Sequence, residues 1–158
     1  MMAVDEALLW GVSQGGLPVL RLYGWSPVAF SLGRHQDAQA VLDCQRCQRD
    51  GVAIVRRMTG GGAIYHGMEL TYSLAVPLSY LPETAQRVKD SFRFLTAGLL
   101  LFYQRLGLAP AYAGECHDGR TLGERTALCF AGSEWFDIVI AGKKIGGNAQ
   151  RRTRQLVL

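Results

Sequence analysis

Proline is scarce in this chain, five residues in 158, and cysteine is scarcer at four. With 49% hydrophobic residues and so few proline breaks, the sequence can bury a core, which excludes a disordered or linker-like protein. Cys44, Cys47, Cys116 and Cys129 are too sparse for a disulfide framework, and a reducing compartment suits any thiol with a function. No apolar run approaches the roughly 18 residues that a membrane span requires, and no secretory leader pattern opens the chain. A cytoplasmic protein without a membrane partner is the expectation. Basic residues form no block interleaved with aromatics, and the formal charge is only +4, so nucleic acid is not an expected partner.

The length suits a single domain, 1–158. Both ends read as unfinished. Met2-Ala3-Val4-Asp5-Glu6-Ala7-Leu8-Leu9 is helical with no strand before it, and Arg154-Gln155-Leu156-Val157-Leu158 stops inside an apolar strand, an edge prone to association. A truncated domain is expected, and with it weak or absent turnover by these 158 residues alone.

Patterning predicts a helix over 1–11, strands at 19–23 and 28–32, a helix around 38–49 and a strand at 52–55. The glycines at 60–62 interrupt the next strand, which resumes at 69–76. Val88, Phe92, Leu95, Leu99, Phe102 and Leu106 alternate steps of four and three, predicting a helix over 84–106 whose stripe packs on the sheet. Residues 109–126 read as a long loop. Strands are expected at 127–130, 135–140 and 143–147, the last two joined by an Ala141-Gly142 turn. Adjacent strand pairs outnumber regular strand–helix alternation, which points to an α+β arrangement.

Gly60-Gly61-Gly62 removes three side chains where a chain turns tightly or a ligand approaches the backbone. Its peptide N–H groups can face a carboxylate, phosphate or thioester oxygen, and a bent strand accounts for it equally well. Arg56 and Arg57 precede it, and strand alternation sends one toward a site and the other to water. His66 can shuttle a proton or serve structure; His35 and His117 have less context. Cys44-Gln45-Arg46-Cys47 has metal-like spacing but no second pair, and Cys116-His117 completes a four-ligand set only in principle, so no metal site is expected.

Cys129 follows a polar loop, where its sulfur can attack a thioester. Lys144 can neutralise charge beside it, orient an acyl carbonyl or take a proton from an incoming amine. Lys143 and Lys144 diverge from one strand, so one of them faces solvent. Gly146-Gly147 again permits close backbone approach. Two glycine-rich segments in one small sheet suggest the walls of a narrow acyl slot, with Phe30, Val55, Leu74, Val76 and Ile145 as further wall candidates. A buried structural Cys129 and a surface Lys144 remain the bland alternative.

Taken together, Leu22-Tyr23-Gly24-Trp25-Ser26-Pro27, Ser31-Leu32-Gly33-Arg34-His35-Gln36 and Arg56-Arg57-Met58-Thr59-Gly60-Gly61-Gly62-Ala63-Ile64-Tyr65-His66 resemble the catalytic domain shared by lipoate–protein ligases and octanoyltransferases. Glu69-Leu70-Thr71-Tyr72-Ser73, Cys129-Phe130 and Gly142-Lys143-Lys144-Ile145-Gly146-Gly147-Asn148-Ala149-Gln150 continue the likeness across almost the whole chain. It implies a biotin/lipoyl protein ligase-like fold, a mixed and mainly antiparallel sheet flanked by helices. The pattern is most similar to cysteine-dependent octanoyltransferases, with Cys129 at the nucleophile position and Lys144 at the position of the family's lysine. By this resemblance, Arg57, Gly60, Gly61, Gly62, Ala63, His66, Gly146 and Gly147 bind substrate. The implied reaction moves an octanoyl group from acyl carrier protein to a lysine of an apo lipoyl-domain protein, such as glycine-cleavage H protein or a 2-oxoacid dehydrogenase E2, and needs no cofactor. The alternatives are an ATP- and Mg²⁺-dependent lipoate ligase passing through a lipoyl-adenylate, and an amidotransferase between lipoyl domains. One departure stands out: Gly67 follows His66 where family members often carry Asp.

Overall fold

The computed structural model of the chain describes residues 1–116, 127–129 and 132–158. It contains two compact units, Met1–Tyr80 with Ala149–Leu158, and Leu81–Asn148.

In the first unit, helix α1 (Met2–Ser13) lays Leu9 and Val12 against Ala75 and Leu156. The sheet beneath it has the order β1 (Val19–Tyr23), β5 (Thr71–Pro77), β9 (Leu156–Val157), antiparallel throughout. Leu20 and Leu22 of β1 point away from that core and are exposed, as strand alternation requires. Asp5, in the first turn of α1, is buried and fixes the helix to the sheet. Its Oδ1 accepts from Arg21 Nη1 and Ser73 Oγ, both at 2.7 Å, and its Oδ2 accepts from the Tyr23 hydroxyl at 3.2 Å. Burial, reinforced by the Asp5 charge, pushes the Tyr23 hydroxyl well above the usual tyrosine range.

A second sheet has the order β3 (Ala53–Arg56), β2 (Ala29–Leu32), β4 (Ile64–His66). β2 and β3 are parallel, and β2 and β4 antiparallel. The crossover from β2 to β3 departs from the single helix expected over 38–49. It forms two helices, α2 (Ala38–Val41) and α3 (Cys44–Arg49), because Asp43 restarts the chain: its carboxylate accepts from Arg46 N–H at 2.9 Å as an N-cap. A second correction concerns the strand expected to resume at 69–76. β4 and β5 belong to different sheets, separated by the turn at 67–70.

The second unit combines α4 (Val88–Arg105) with a sheet of order β6 (Pro110–Tyr112), β7 (Ile138–Ile140), β8 (Lys143–Gly146), antiparallel throughout. Phe136 anchors it, stacked on Phe92 at 5.0 Å and edge-on to Tyr112 at 5.8 Å. Tyr112 Oη also hydrogen-bonds Thr96 Oγ1 at 2.8 Å. The expected packing of the whole α4 stripe fails. Val88, Phe102 and Leu106 are more than half exposed, and the buried positions of the helix are Ser91 and Thr96. An 18-residue helix is about 27 Å long, whereas strands of three or four residues span only about 10–13 Å. The loop expected over 109–126 contains β6 and a short helix, α5 (Ala113–Cys116), and its residues 117–126 lie outside the described ones. The strand expected at 127–130 also runs into an undescribed residue, and 127–129 form no named strand.

Ala141-Gly142 is the expected turn. Both residues have positive φ, 48° and 74°, the signature of a two-residue type I′ hairpin. The architecture is a mixed, mainly antiparallel sheet system flanked by helices, with β2–β3 as its parallel pairing.

Candidate active site

The hairpin positions Lys144. Lys143 points to solvent, while the Lys144 side chain is 7% exposed and lies against Asp137, which is 1% exposed. Lys144 Nζ donates to Asp137 Oδ2 at 2.7 Å, to the Cys129 carbonyl at 2.7 Å and to the Gly132 carbonyl at 3.1 Å. Cys129 Sγ lies 3.8 Å from the same nitrogen. An ammonium has three N–H donors, and each has an acceptor here. A lysine acting as a base would have to give up one of these bonds, so the arrangement suits an anchor and a charge-stabilising donor.

Asp137 is the residue that sequence reading missed. Its Oδ2 also accepts from Glu134 N–H at 2.6 Å, and its own carbonyl accepts from Ala113 N–H at 2.8 Å. Gly114 makes room beside it: a Cβ there would fall 2.3 Å from the Trp135 ring. The missed signal lay in the hairpin register. Lys144 pairs with Val139, and Asp137 stands two positions before Val139, on the same face.

The first unit holds the other expected residues. Arg57 Nη1 donates to Ser31 O at 2.7 Å and to Ser31 Oγ at 2.6 Å, and Nη2 donates to the carbonyls of Gly60 at 3.1 Å and Gly62 at 2.9 Å. Arg56 takes the opposite side and donates to the carbonyls of Gly33, Arg34 and Gln36. Both arginines therefore tie backbone together. Gly61 has φ of 93°, which glycine tolerates without strain. Gly33 admits the loop: a Cβ at that position would lie 2.0 Å from the Gly61 carbonyl oxygen.

Ala63 and His66 are buried. The His66 ring stacks on Trp25, 3.9 Å between centroids, and its nitrogens meet Ser31 Oγ and Glu69 Oε1, each at 2.5 Å. Burial pulls the His66 imidazole below its usual range, Glu69 opposes that shift and Arg57 adds to it. Burial raises the Glu69 carboxyl, but hydrogen bonds from Gly67 N–H and His66 outweigh it and hold the group below the usual range. Glu69 thus supplies a carboxylate to the loop that Gly67 does not. His35 is exposed, and His117 lies outside the described residues. Cys47 is buried on α3 beside a partly buried Cys44, and among the described residues no three His, Cys, Asp or Glu side chains gather as metal ligands.

The two glycine-rich segments do not share a sheet, contrary to expectation. Gly60–Gly62 follows β3 in the first unit, whereas Gly146 ends β8 in the second. Ile145, named as a wall candidate, is 37% exposed. Gly147 is informative for another reason. A Cβ there would meet Lys144 Cε at 3.4 Å and Asp137 Oδ1 at 3.7 Å, ordinary contacts, so folding does not demand its missing side chain.

A glycine loop gripped by arginine and a thiol beside a carbonyl-bound lysine, on this mixed antiparallel fold, define a class. The chain belongs to the lipoyl protein ligase A/B catalytic domain family, which it matches over residues 1–158. It is 39% identical over 161 residues to the octanoyltransferase LipM of Macrococcus caseolyticus, covering 99% of this chain and 58% of that protein. It is 38% identical over 158 residues to the octanoyltransferase LipM of Carboxydothermus hydrogenoformans, covering 99% and 57%. The chain therefore spans less than two thirds of these relatives. Among solved structures, lipoate-protein ligase A bound with ATP matches with a TM-score of 0.75 at 24% identity, covering 99% of this chain and 57% of that one. That likeness concerns the fold. Among the described residues, no helix is long and apolar enough to cross a membrane.

Proposed function

We propose that this chain carries the catalytic centre of a cytoplasmic octanoyltransferase that works through a Cys129 thioester. The observation that carries the reading is the placement of Lys144 Nζ 3.8 Å from Cys129 Sγ, in a chain whose relatives are octanoyltransferases. Cys129 sulfur attacks the carbonyl carbon of an octanoyl thioester on acyl carrier protein. The bond to the carrier's phosphopantetheine sulfur breaks, and that thiol leaves with a proton. A lysine amine of an apo lipoyl-domain protein then attacks the Cys129 thioester, giving an amide and the free cysteine.

Lys144 serves both steps by stabilising charge that develops on sulfur and on the acyl oxygen, while Asp137 holds it in place. Gly147 leaves open the space beside Lys144 in which a reacting carbonyl can sit. Arg57, Gly60, Gly61, Gly62, Ala63 and His66 form the acyl-binding loop in this reading, with Gly146 continuing the backbone beside Gly147.

Intact mass spectrometry after mixing with octanoyl-acyl carrier protein, without ATP, tests the proposal. The expected result is a gain of one octanoyl group, absent in Cys129→Ser and discharged by an apo lipoyl domain. Product that requires ATP and survives Cys129→Ser would establish lipoate ligation instead.

A further inference from the structure

The Ser31–His66–Glu69 chain is not a nucleophilic triad, because Ser31 is fully buried. Its hydrogen bonds have a direction. Arg57 has no acceptor, so Nη1 donates to Ser31 Oγ. The Ser31 hydroxyl hydrogen then needs a partner, and His66 Nε2 stands 2.5 Å away. A buried hydroxyl hydrogen facing another N–H would be left without an acceptor, so Nε2 accepts. The ring proton consequently sits on Nδ1 and is donated to Glu69 Oε1. The order is Arg57 to Ser31 to His66 to Glu69.

The head of this chain grips the loop. The Gly60 and Gly62 carbonyls face Arg57 Nη2. The peptides that follow are trans, since among the described residues the cis bond is Ser26-Pro27. A trans peptide sets its C=O and N–H on opposite sides, so the Gly61 and Ala63 N–H groups are turned away from the guanidinium. Whatever holds Arg57 therefore determines how the loop displays its donors.

We infer that Ser31, His66 and Glu69 are positioning residues: a proton-ordered relay, with His66 in the neutral Nδ1–H tautomer, that fixes Arg57 and so aims the backbone N–H groups of the glycine loop. Among the described residues, the charged groups facing His66 are Glu69 and Arg57, and Trp25 covers one ring face. Protonation of His66 would put a hydrogen on Nε2 and make Ser31 Oγ accept twice, stranding its own hydrogen. Burial, which depresses imidazole protonation, keeps the relay in its neutral form near neutrality. The catalytic consequence rests on the proposed acyl-binding role of the loop, but the relay itself does not.

Two readouts separate them. Long-range proton–nitrogen NMR of the chain is expected to show His66 neutral, with Nδ1 protonated and Nε2 bare; an Nε2–H tautomer at neutral pH would overturn the relay. Glu69 is partly exposed, so Glu69→Ala leaves the core intact and is expected to speed amide exchange at Arg34 and Arg57, which donate to the Thr59 and Leu32 carbonyls at the base of the glycine loop, by about tenfold or more while the β1–β5 amides hold. Glu69→Gln keeps an acceptor for Nδ1–H and is expected to restore loop protection, with His66 titrating at lower pH because the raising charge is gone. Unchanged loop exchange in Glu69→Ala, or no rescue by Gln, would overturn the proposal. With octanoyl-acyl carrier protein as donor, Ser31→Ala and Glu69→Ala are expected to raise KM with little change in kcat. A loss confined to kcat, or none at all in an active parent, counts against the loop-positioning role. Absence of octanoyl uptake by the parent sinks the function proposed above and leaves the NMR and exchange tests to decide the relay.

Discussion

The two polar clusters are built on opposite principles. In the first unit, Arg57 is one of a series of groups whose donors and acceptors interlock, and most of its partners are backbone carbonyls. Shape is what such a network preserves, because each bond constrains the next. In the second unit a single cation gathers a carboxylate, two carbonyls and a thiol around itself. Removing one carbonyl contact in the first cluster leaves others in place, whereas removing Lys144 leaves a buried charge without a counter-ion. A network of many interlocking bonds and a centre built on one buried cation should therefore fail differently when cut.

The largest failure is expected at Lys144. Lys144→Met strands Asp137 in the interior, and breaking a buried pair from one side costs about 3–5 kcal/mol. Chemical denaturation should show that loss together with the disappearance of acyl transfer. The double variant Lys144→Met with Asp137→Leu removes both charges and should regain most of the stability while staying inactive. If Lys144→Met proves as stable as the parent, the pair is not the organising charge described above.

In the glycine loop the failure should be steric and smaller. Gly33→Ala forces a Cβ into the Gly61 carbonyl and is expected to cost about 1–3 kcal/mol, as overpacking does. The contrast is Gly147→Ala, whose methyl meets its neighbours at ordinary distances. Its stability should stay within about 0.5 kcal/mol of the parent, while the proposed acyl transfer predicts that turnover falls, because the methyl would enter the space that the proposal reserves for a reacting carbonyl. Equal turnover in Gly147→Ala and the parent would remove that reservation.

The same contrast explains what sequence could reveal. Strand β1 at 19–23 and the Ala141-Gly142 turn were legible, because alternation and positive-φ turn residues are local signals. The division of labour between Lys143 and Lys144 followed from the same alternation. Asp43 was read as an ordinary helical residue although it is an N-cap, so one expected helix became two. β6 carries a proline and three residues, and its pairing with β7 depends on a partner more than 25 positions away. Ser31 and Glu69 stood within matching stretches but had no role there, because their roles arise only when β2 and β4 pair. Resemblance nominated Cys129, Lys144 and the glycine loop as candidates, but it offered no account of what holds them.

Proton linkage sharpens the comparison further. The folded state lowers the His66 imidazole below its ordinary 6.5, so the unfolded chain binds that proton more tightly. Stability from this group is full above pH 6.5 and declines as pH falls from there through the lowered folded value. Glu69, lowered from 4.5, adds a second decline that begins below that pH. Tyr23 acts at the other extreme: its raised folded value makes stability decline as pH climbs above 10.0. Melting curves across pH should show the first decline in the parent and lose it in His66→Gln if that variant remains folded. An acid limb identical in both would assign the decline to other groups.

The smallest effect is expected where the second cluster meets its scaffold. Ala141 holds φ at 48°, a conformation that costs an ordinary side chain about 1–2 kcal/mol and that Asn accepts more readily. Ala141→Asn creates the Asn-Gly pair favoured by a type I′ turn and should stabilise the chain by up to about 1 kcal/mol. The gain would fall on the hairpin that sets Lys144 opposite Val139. Amide exchange should slow along β7 and β8 and remain unchanged at Arg34 and Arg57. Because the charge at Lys144 and its partners are untouched, acyl transfer should keep its rate; a gain in stability with a fall in rate would mean that the strained turn serves the chemistry rather than merely tolerating it.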